Sequence, residues 1–190
     1  GGVRIAGTGG PSPLGSGRGS AGPTTVGAAG AQAAWPDTTA VAVVPWPRNE
    51  RGALAGLKTT SYGENVVALA WAKERGAGEA LFGNLAGHLC EGTGTNVFLA
   101  LDGRLVTPPL SSGCLAGVTR ALVIEVAGAV EEDIPLGTLA RADEAFLTST
   151  TREVQPISAV DGTPLPAAPG PLTTAAADAF AALVARDMDP

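Results

Sequence analysis

Lysine is almost absent from this 190-residue chain: Lys58 and Lys73 stand against ten arginines. Histidine occurs once, as His88, and cysteine twice, as Cys90 and Cys114. A single histidine without any Cys-x-x-Cys argues against a structural zinc or a His-rich metal site. Two cysteines are too few for a disulfide framework, and free thiols in a cytosolic chain are expected. Aromatic residues make up 4% of the chain and apolar residues 45%, so the core has to be built mainly from Ala, Val and Leu. The net charge is −6 and no basic patch follows a phosphate backbone, which argues against a nucleic-acid partner. No apolar run reaches the ~18 residues that span a bilayer, and no charged-then-apolar leader opens the sequence. The expectation is a cytoplasmic protein without a membrane partner.

What is present falls into two textures. Residues 3–8 alternate like a short strand, residues 9–23 are a Gly/Ser/Pro-rich loop, and residues 24–29 form a second strand. Such a pair cannot stand alone, so residues 1–29 are expected to be the remnant of a smaller domain, with 30–36 as a linker. Residues 37–190 form the main domain. Strands are expected at 39–44, 79–82, 97–101, 105–107, 130–134 and 145–148. Helices are expected at 61–76, 117–129, 136–141 and 173–186. In the first helix Val66, Leu69 and Ala70 are expected to share a face. Strands and helices interleave without a strict β-α-β rhythm, which points to an α+β fold with a mixed or barrel-like sheet.

Four segments invite chemistry. Lys58 stands in Ala55-Gly56-Leu57-Lys58-Thr59-Thr60, an apolar, Gly-preceded turn. An amine there can form a Schiff base, and burial would favour its nucleophilic neutral form. Lys73, in Trp71-Ala72-Lys73-Glu74-Arg75, reads as a solvated charge on a helix face. Glu91 opens a Gly/Thr-rich stretch, flanked by Cys90 and Gly92 and not by charge. Gly117-Val118-Thr119 starts a helix, where free N–H groups and the positive end of the macrodipole favour an anion. Thr148-Ser149-Thr150-Thr151 is a hydroxyl-rich turn after a strand. A lysine, a carboxylate and two phosphate cradles together suit pyridoxal 5′-phosphate.

These segments, with Leu-Val-Thr-Pro-Pro-Leu at 105–110 and Asp143 to Pro156, resemble the class IV aminotransferase family, the fold-type IV pyridoxal-phosphate enzymes. The resemblance runs from about Val43 to Thr173 with every motif in order. It implies a large cofactor-binding domain with a pseudo-barrel of mixed strands and surrounding helices, beside a smaller N-terminal α/β domain. It also implies roles: Lys58 as Schiff-base lysine and proton shuttle, Glu91 on the pyridine nitrogen, Leu115 against the ring. Val118, Thr119, Ser149 and Thr150 would hold phosphate, and Thr150 and Thr151 would meet the substrate. A small-molecule amine is the implied substrate, and a homodimer the implied assembly. The family holds 4-amino-4-deoxychorismate lyases, of folate synthesis, and aminotransferases for branched-chain or D-amino acids. Val44-Pro-Trp-Pro-Arg-Asn-Glu, Gly-Leu-Lys-Thr-Thr-Ser-Tyr and Pro-Pro-Leu-Ser-Ser-Gly-Cys-Leu-Ala-Gly look most like the lyases, so pyruvate elimination is the first expectation and transamination the second.

Overall fold

A computed structural model describes residues 1–187, in two units. The first is Gly1–Trp35 with Thr59–Ser61; the second takes in Pro36–Lys58 and the chain from Tyr62 onward. In the first unit β1 (Gly2–Thr8) and β2 (Thr24–Gly30) pair antiparallel, from Gly2 opposite Gly30 to Thr8 opposite Thr24. Val3, Ile5 and Val26 on this ribbon are exposed.

The second unit starts with β3 (Thr39–Val43), α1 (Gly63–Lys73), β4 (Glu79–Gly83), β5 (Leu89–Gly92) and the hairpin β6 (Asn96–Leu101) to β7 (Arg104–Thr107). Then come α2 (Val118–Ala127), β8 (Val130–Glu131), β9 (Glu144–Ser149), β10 (Glu153–Val160), β11 (Thr163–Pro164) and α3 (Pro171–Arg186). Leu110–Ser112 and Leu136–Arg141 are 3-10 turns. One mixed sheet runs in the order β5-β4-β3-β10-β9-β6-β7-β8, with β11 added on β10. The pairs β3/β4, β10/β3 and β7/β8 are parallel, and the others are antiparallel. β5 also approaches β6 directly, so the sheet curls into a half-barrel.

β10 makes the curl. Its first half, Glu153 to Pro156, pairs with β9, and from Ile157 onward it pairs with β3 across a register shift. Pro156 lies at the hand-over, where a residue without an N–H is tolerated because the strand is changing partners.

Alternation along the strands explains the core. Leu81, Val97, Leu99, Ala145 and Leu147 point into the curl with Val41, Leu89, Ile134 and Ile157. Their neighbours Phe98, Ala100 and Phe146 point outward under α2 and α3, against Val123, Ala176 and Phe180. Ala80 and Phe82 meet α1 instead. A sheet buried on both faces reads as continuous apolar runs, which is what residues 80–82 and 97–101 show. Phe98 and Phe146 stack across the β6–β9 pair at 4.9 Å between centroids and 7° between planes.

Four expectations need correction. α1 buries Ala68 and Ala72, not Val66, Leu69 and Ala70; Val66 is 63% exposed. Small side chains let the helix lie close on Ala42, Ala80 and Phe82, and a face of larger residues would hold it away. Glu91 lies inside β5 and does not open a loop. β10, absent from the sequence reading, is the eight-residue strand on which the sheet turns; Pro156 disguised it. The strand expected at 130–134 is only Val130–Glu131.

Replacing one member of the aromatic stack tests this layer. Phe146→Ala should cost about 3–5 kcal/mol, because Phe146 is fully buried and the cavity cannot collapse between two packed layers. Denaturant unfolding followed by circular dichroism reads the loss.

Candidate functional site

Glu91 lies on β5 with its side chain 15% exposed. One carboxylate oxygen accepts the Leu115 N–H at 2.8 Å. The other lies 3.6 Å from the Arg48 guanidinium. Burial pushes its pKa above the ordinary 4.5; the Leu115 hydrogen bond, Arg48 and Lys58 pull it back. Lys58 is thus an electrostatic neighbour of Glu91. Its side chain is not buried as the sequence led us to expect. Lys58 is exposed, as are Leu54 and Leu57 in the same loop. That loop is built of turns, and it has no apolar cover of its own.

Leu115, half-buried, connects the carboxylate to the start of α2. The Leu115 carbonyl accepts from Asn96 Nδ2 at 2.9 Å and from the Gly117 N–H at 2.8 Å. Gly117 is the residue before α2, and no side chain caps that helix. A Cβ at Gly117 would fall 2.1 Å from Asn96 Oδ1, so the position requires glycine. Among the described residues no acceptor meets the N–H groups of Val118 and Thr119. The contrast with α3 is instructive. There the buried Glu144 accepts the Leu172 and Thr173 N–H groups at 3.0 and 2.7 Å and neutralises the helix start. At α2 no carboxylate takes that place, and the electropositive end stays uncapped.

Asn96 also sets the second cradle. It lies opposite Thr148 in the β6–β9 ladder, immediately before Ser149. Ser149 Oγ accepts the Arg152 N–H at 3.2 Å and closes the turn, so its own O–H remains available to donate. Thr150 and Thr151 are exposed at the tip. Thr148 Oγ1 is buried without a partner. Arg152 folds back under the turn: it pairs with the buried Glu79 at 3.7 Å and bonds Gln155.

Lys58 contributes to the electrostatics of Glu91 without a direct contact to it, while Glu91 bonds Leu115 just before Val118 and Thr119, and Asn96 bonds Leu115 and stands opposite Thr148, the residue before Ser149. Sequence reasoning gave no role to Arg48, Asn96 or Glu79. For Asn96 the available signal is its place after a Gly/Thr run and directly before an apolar strand. Cys90 and Cys114 are free and buried, and burial pushes both thiols up, which keeps them unreactive. No cluster of metal-ligating side chains occurs among the described residues. No helix among them is long and apolar enough to cross a membrane.

The profile of the amino-transferase class IV family matches residues 1–160. The chain belongs to the class IV aminotransferase family. It is 37% identical over 130 residues to a branched-chain-amino-acid aminotransferase of Pseudomonas aeruginosa, covering 65% of this chain and 42% of that protein. The Escherichia coli branched-chain-amino-acid aminotransferase is 35% identical over 96 residues, 48% of this chain and 31% of its own length. Among solved structures, the branched-chain amino acid aminotransferase of Thermobaculum terrenum in its PLP form superposes with a TM-score of 0.75 at 34% identity, covering 80% of this chain and 52% of that one. A Legionella pneumophila protein assigned provisionally as a 4-amino-4-deoxychorismate lyase shares the fold, with a TM-score of 0.88 at 24% identity over 97% of this chain and 69% of that one. The present chain spans less than half the length of the curated relatives named here. The mixed half-barrel is the fold-type IV architecture of the class IV aminotransferases, which are pyridoxal-phosphate enzymes.

The residues present fit that cofactor. A lysine amine is exposed, a half-buried carboxylate has one oxygen without a hydrogen bond, and an uncapped helix start offers two free N–H groups.

A pH measurement tests the burial of Glu91. A carboxyl whose folded pKa is raised binds its proton more tightly in the folded state. The stability it contributes is complete below the ordinary 4.5 and is lost as pH rises through the raised folded value. The cofactor-free protein should therefore lose stability as pH rises above 4.5 through that raised value. Glu91→Gln should flatten that slope, as read by urea unfolding at a series of pH values.

Proposed function

We propose that the chain carries the cofactor-holding part of a pyridoxal-phosphate enzyme acting on a small primary amine, with Lys58 as its covalent and proton-moving residue. The observation that carries this is the Glu91 carboxylate, largely withdrawn from water and fixed by the Leu115 N–H at the entrance to α2, with the positive charge of Lys58 favouring its ionised form.

Each residue has a defined task. Lys58 would hold the cofactor through its amine, and the same amine would serve as the base that takes and returns a carbon-bound proton. Glu91 presents its carboxylate to the ring nitrogen and holds a proton there. Leu115, anchored at both its N–H and its carbonyl, presents a fixed apolar side chain for the ring. Val118 and Thr119 offer the free N–H groups of α2 to the phosphate, and the Ser149–Thr150 turn adds hydroxyl and amide donors. Thr150 and Thr151, at the exposed tip, meet the substrate carboxylate. When bound, the cofactor supplies an electron sink for the pair left on carbon after deprotonation.

Amino-group transfer from a branched-chain amino acid to a keto acid is the reading that the named relatives favour, at 35–37% identity over their matched segments. Elimination of pyruvate from 4-amino-4-deoxychorismate is the second reading, favoured by the Gly-Leu-Lys-Thr-Thr-Ser-Tyr and Pro-Pro-Leu-Ser-Ser-Gly-Cys-Leu-Ala-Gly segments. Both reactions need the same base and the same sink, and the residues described here serve either. Family members assemble as homodimers, and the same assembly is proposed here.

The test uses the full-length protein. Borohydride in the presence of pyridoxal 5′-phosphate should fix a mass label on the Lys58 peptide, and Lys58→Ala should abolish both label and turnover. Lys73→Ala should change neither. Absence of the label in the unmodified protein overturns the reading. Turnover of leucine only when a keto acid is added selects transfer; pyruvate release from 4-amino-4-deoxychorismate without an acceptor selects the lyase.

A further inference from the structure

Arg48 does something the sequence did not announce. Its N–H donates to the Gly83 carbonyl at 2.7 Å, and Arg48 makes a parallel bridge with Asn84, so its backbone is fixed to the end of β4. Its guanidinium lies over the Phe82 ring, 4.0 Å from the centroid. Two of its nitrogens bond α1: Nη1 donates to Glu64 at 2.7 Å and Nη2 to Asn65 at 2.8 Å. The same Nη2 lies 3.6 Å from the Glu91 oxygen that Leu115 leaves free. Nε is buried without an acceptor. The side chain is 17% exposed.

This is a planar cation held by three fixed partners, with its remaining field directed at one carboxylate. A flexible ammonium could not be clamped this way, since stacking on a ring and forked donation both need the guanidinium plane. Burial of a carboxylate with a single hydrogen bond favours its protonated form, and a fixed cation beside it opposes that. A protonated Glu91 could not keep a proton on a ring nitrogen.

We propose that Arg48 is a positioning residue for Glu91: clamped by Phe82, Glu64 and Asn65, it keeps the Glu91 carboxylate ionised and its second oxygen oriented for a protonated ring nitrogen. The inference rests on the cofactor reading above for its purpose, but not for its test. The charged groups that face Glu91 are Arg48 and Lys58, which favour the anion, and Glu64, which opposes it. Glu64 therefore has two effects. It steers Arg48, and its negative charge offsets part of Arg48's pull.

The opposing signs make the test. In cofactor-free, full-length protein labelled with carboxyl-¹³C glutamate, the Glu91 resonance is assigned by its loss in Glu91→Gln and titrated against pH. Arg48→Met keeps the stack on Phe82 and removes the charge; the Glu91 midpoint should rise by about one pH unit, tenfold in proton affinity. Glu64→Gln, at a side chain 45% exposed, keeps a hydrogen-bond acceptor for Arg48 and should lower the midpoint. The dissociation constant for added pyridoxal 5′-phosphate should follow the midpoint, about tenfold weaker in Arg48→Met. A midpoint that moves in neither variant, or moves the same way in both, overturns the proposal. If Arg48→Met does not fold, the sign of the Glu64→Gln shift decides it. A wild-type protein that shows these shifts yet takes no label on Lys58 would overturn the cofactor reading and leave the Arg48–Glu91 coupling standing.

Discussion

Everything at this site depends on one under-satisfied carboxylate. In the second unit Glu79 and Glu144 are buried and fully occupied, and Glu91 is half-buried. Glu79 accepts the Ala80 and Thr93 N–H groups and the Thr93 hydroxyl on one oxygen, and faces Thr95 and Arg152 with the other. Glu144 takes both oxygens to the start of α3. Glu91 receives one hydrogen bond, and its second oxygen has only an ion pair at 3.6 Å. In a low-dielectric pocket, spare acceptor capacity is costly, typically about 1–3 kcal/mol for an unmet group.

The sheet topology explains how distant parts of the chain reach this carboxylate. β5 is one terminal strand of the sheet path, and the curl made by β10 brings it against β6. Asn96, the first residue of β6, then acts as a pin. It holds Leu115 by one amide atom, confines Gly117 by the other, and stands opposite Thr148 in the ladder. One side chain thereby sets the spacing between the Glu91 contact, the start of α2 and the turn after β9. Glu79 and Arg152 brace the same region from below, joining residues 93–95 to the turn that carries Ser149. The buried pair acts through position here, since ion pairs out of water add little net stability of their own.

How much of this was legible in the sequence follows from what is local and what is not. The β6–β7 hairpin was, because Asp102-Gly103 is a two-residue turn with positive φ at both positions, 50° and 76°. α2 was, as an apolar stretch opening at Gly117, and α3 was, from its alanine richness. Lys58 and Glu91 stood out against their surroundings, one by the rarity of its type and the other by its uncharged neighbours. What failed was non-local. β10 contains a proline and looks irregular until its two partners are known. The buried face of α1 follows from how closely the sheet allows a helix to approach, so alanines were chosen over valines. The exposure of Lys58 follows from the absence of apolar partners around residues 53–58. Arg48 was one arginine among ten, and only the fold places it on the Phe82 ring beside Glu91.

The two helix starts sharpen the physical logic. α2 and α3 each begin after a glycine, without a side-chain cap of their own, and each presents free amides with the positive end of a dipole. At α3 the glycine is required because Glu144 occupies the space a Cβ would need, 2.2 Å away. The protein supplies the anion itself, and that helix end is structural. At α2 the glycine is required because Asn96 stands there, 2.1 Å from the same hypothetical atom, and Asn96 brings an amide but no charge. The helix end is confined by a neutral side chain and left electropositive. Placing a carboxylate there, as at α3, would stabilise the fold and close the site. The charge sits instead on Glu91, 24 residues back along the chain and one hydrogen bond from Leu115, and the cofactor proposed above, with an anion at one end and a basic nitrogen at the other, suits that separation.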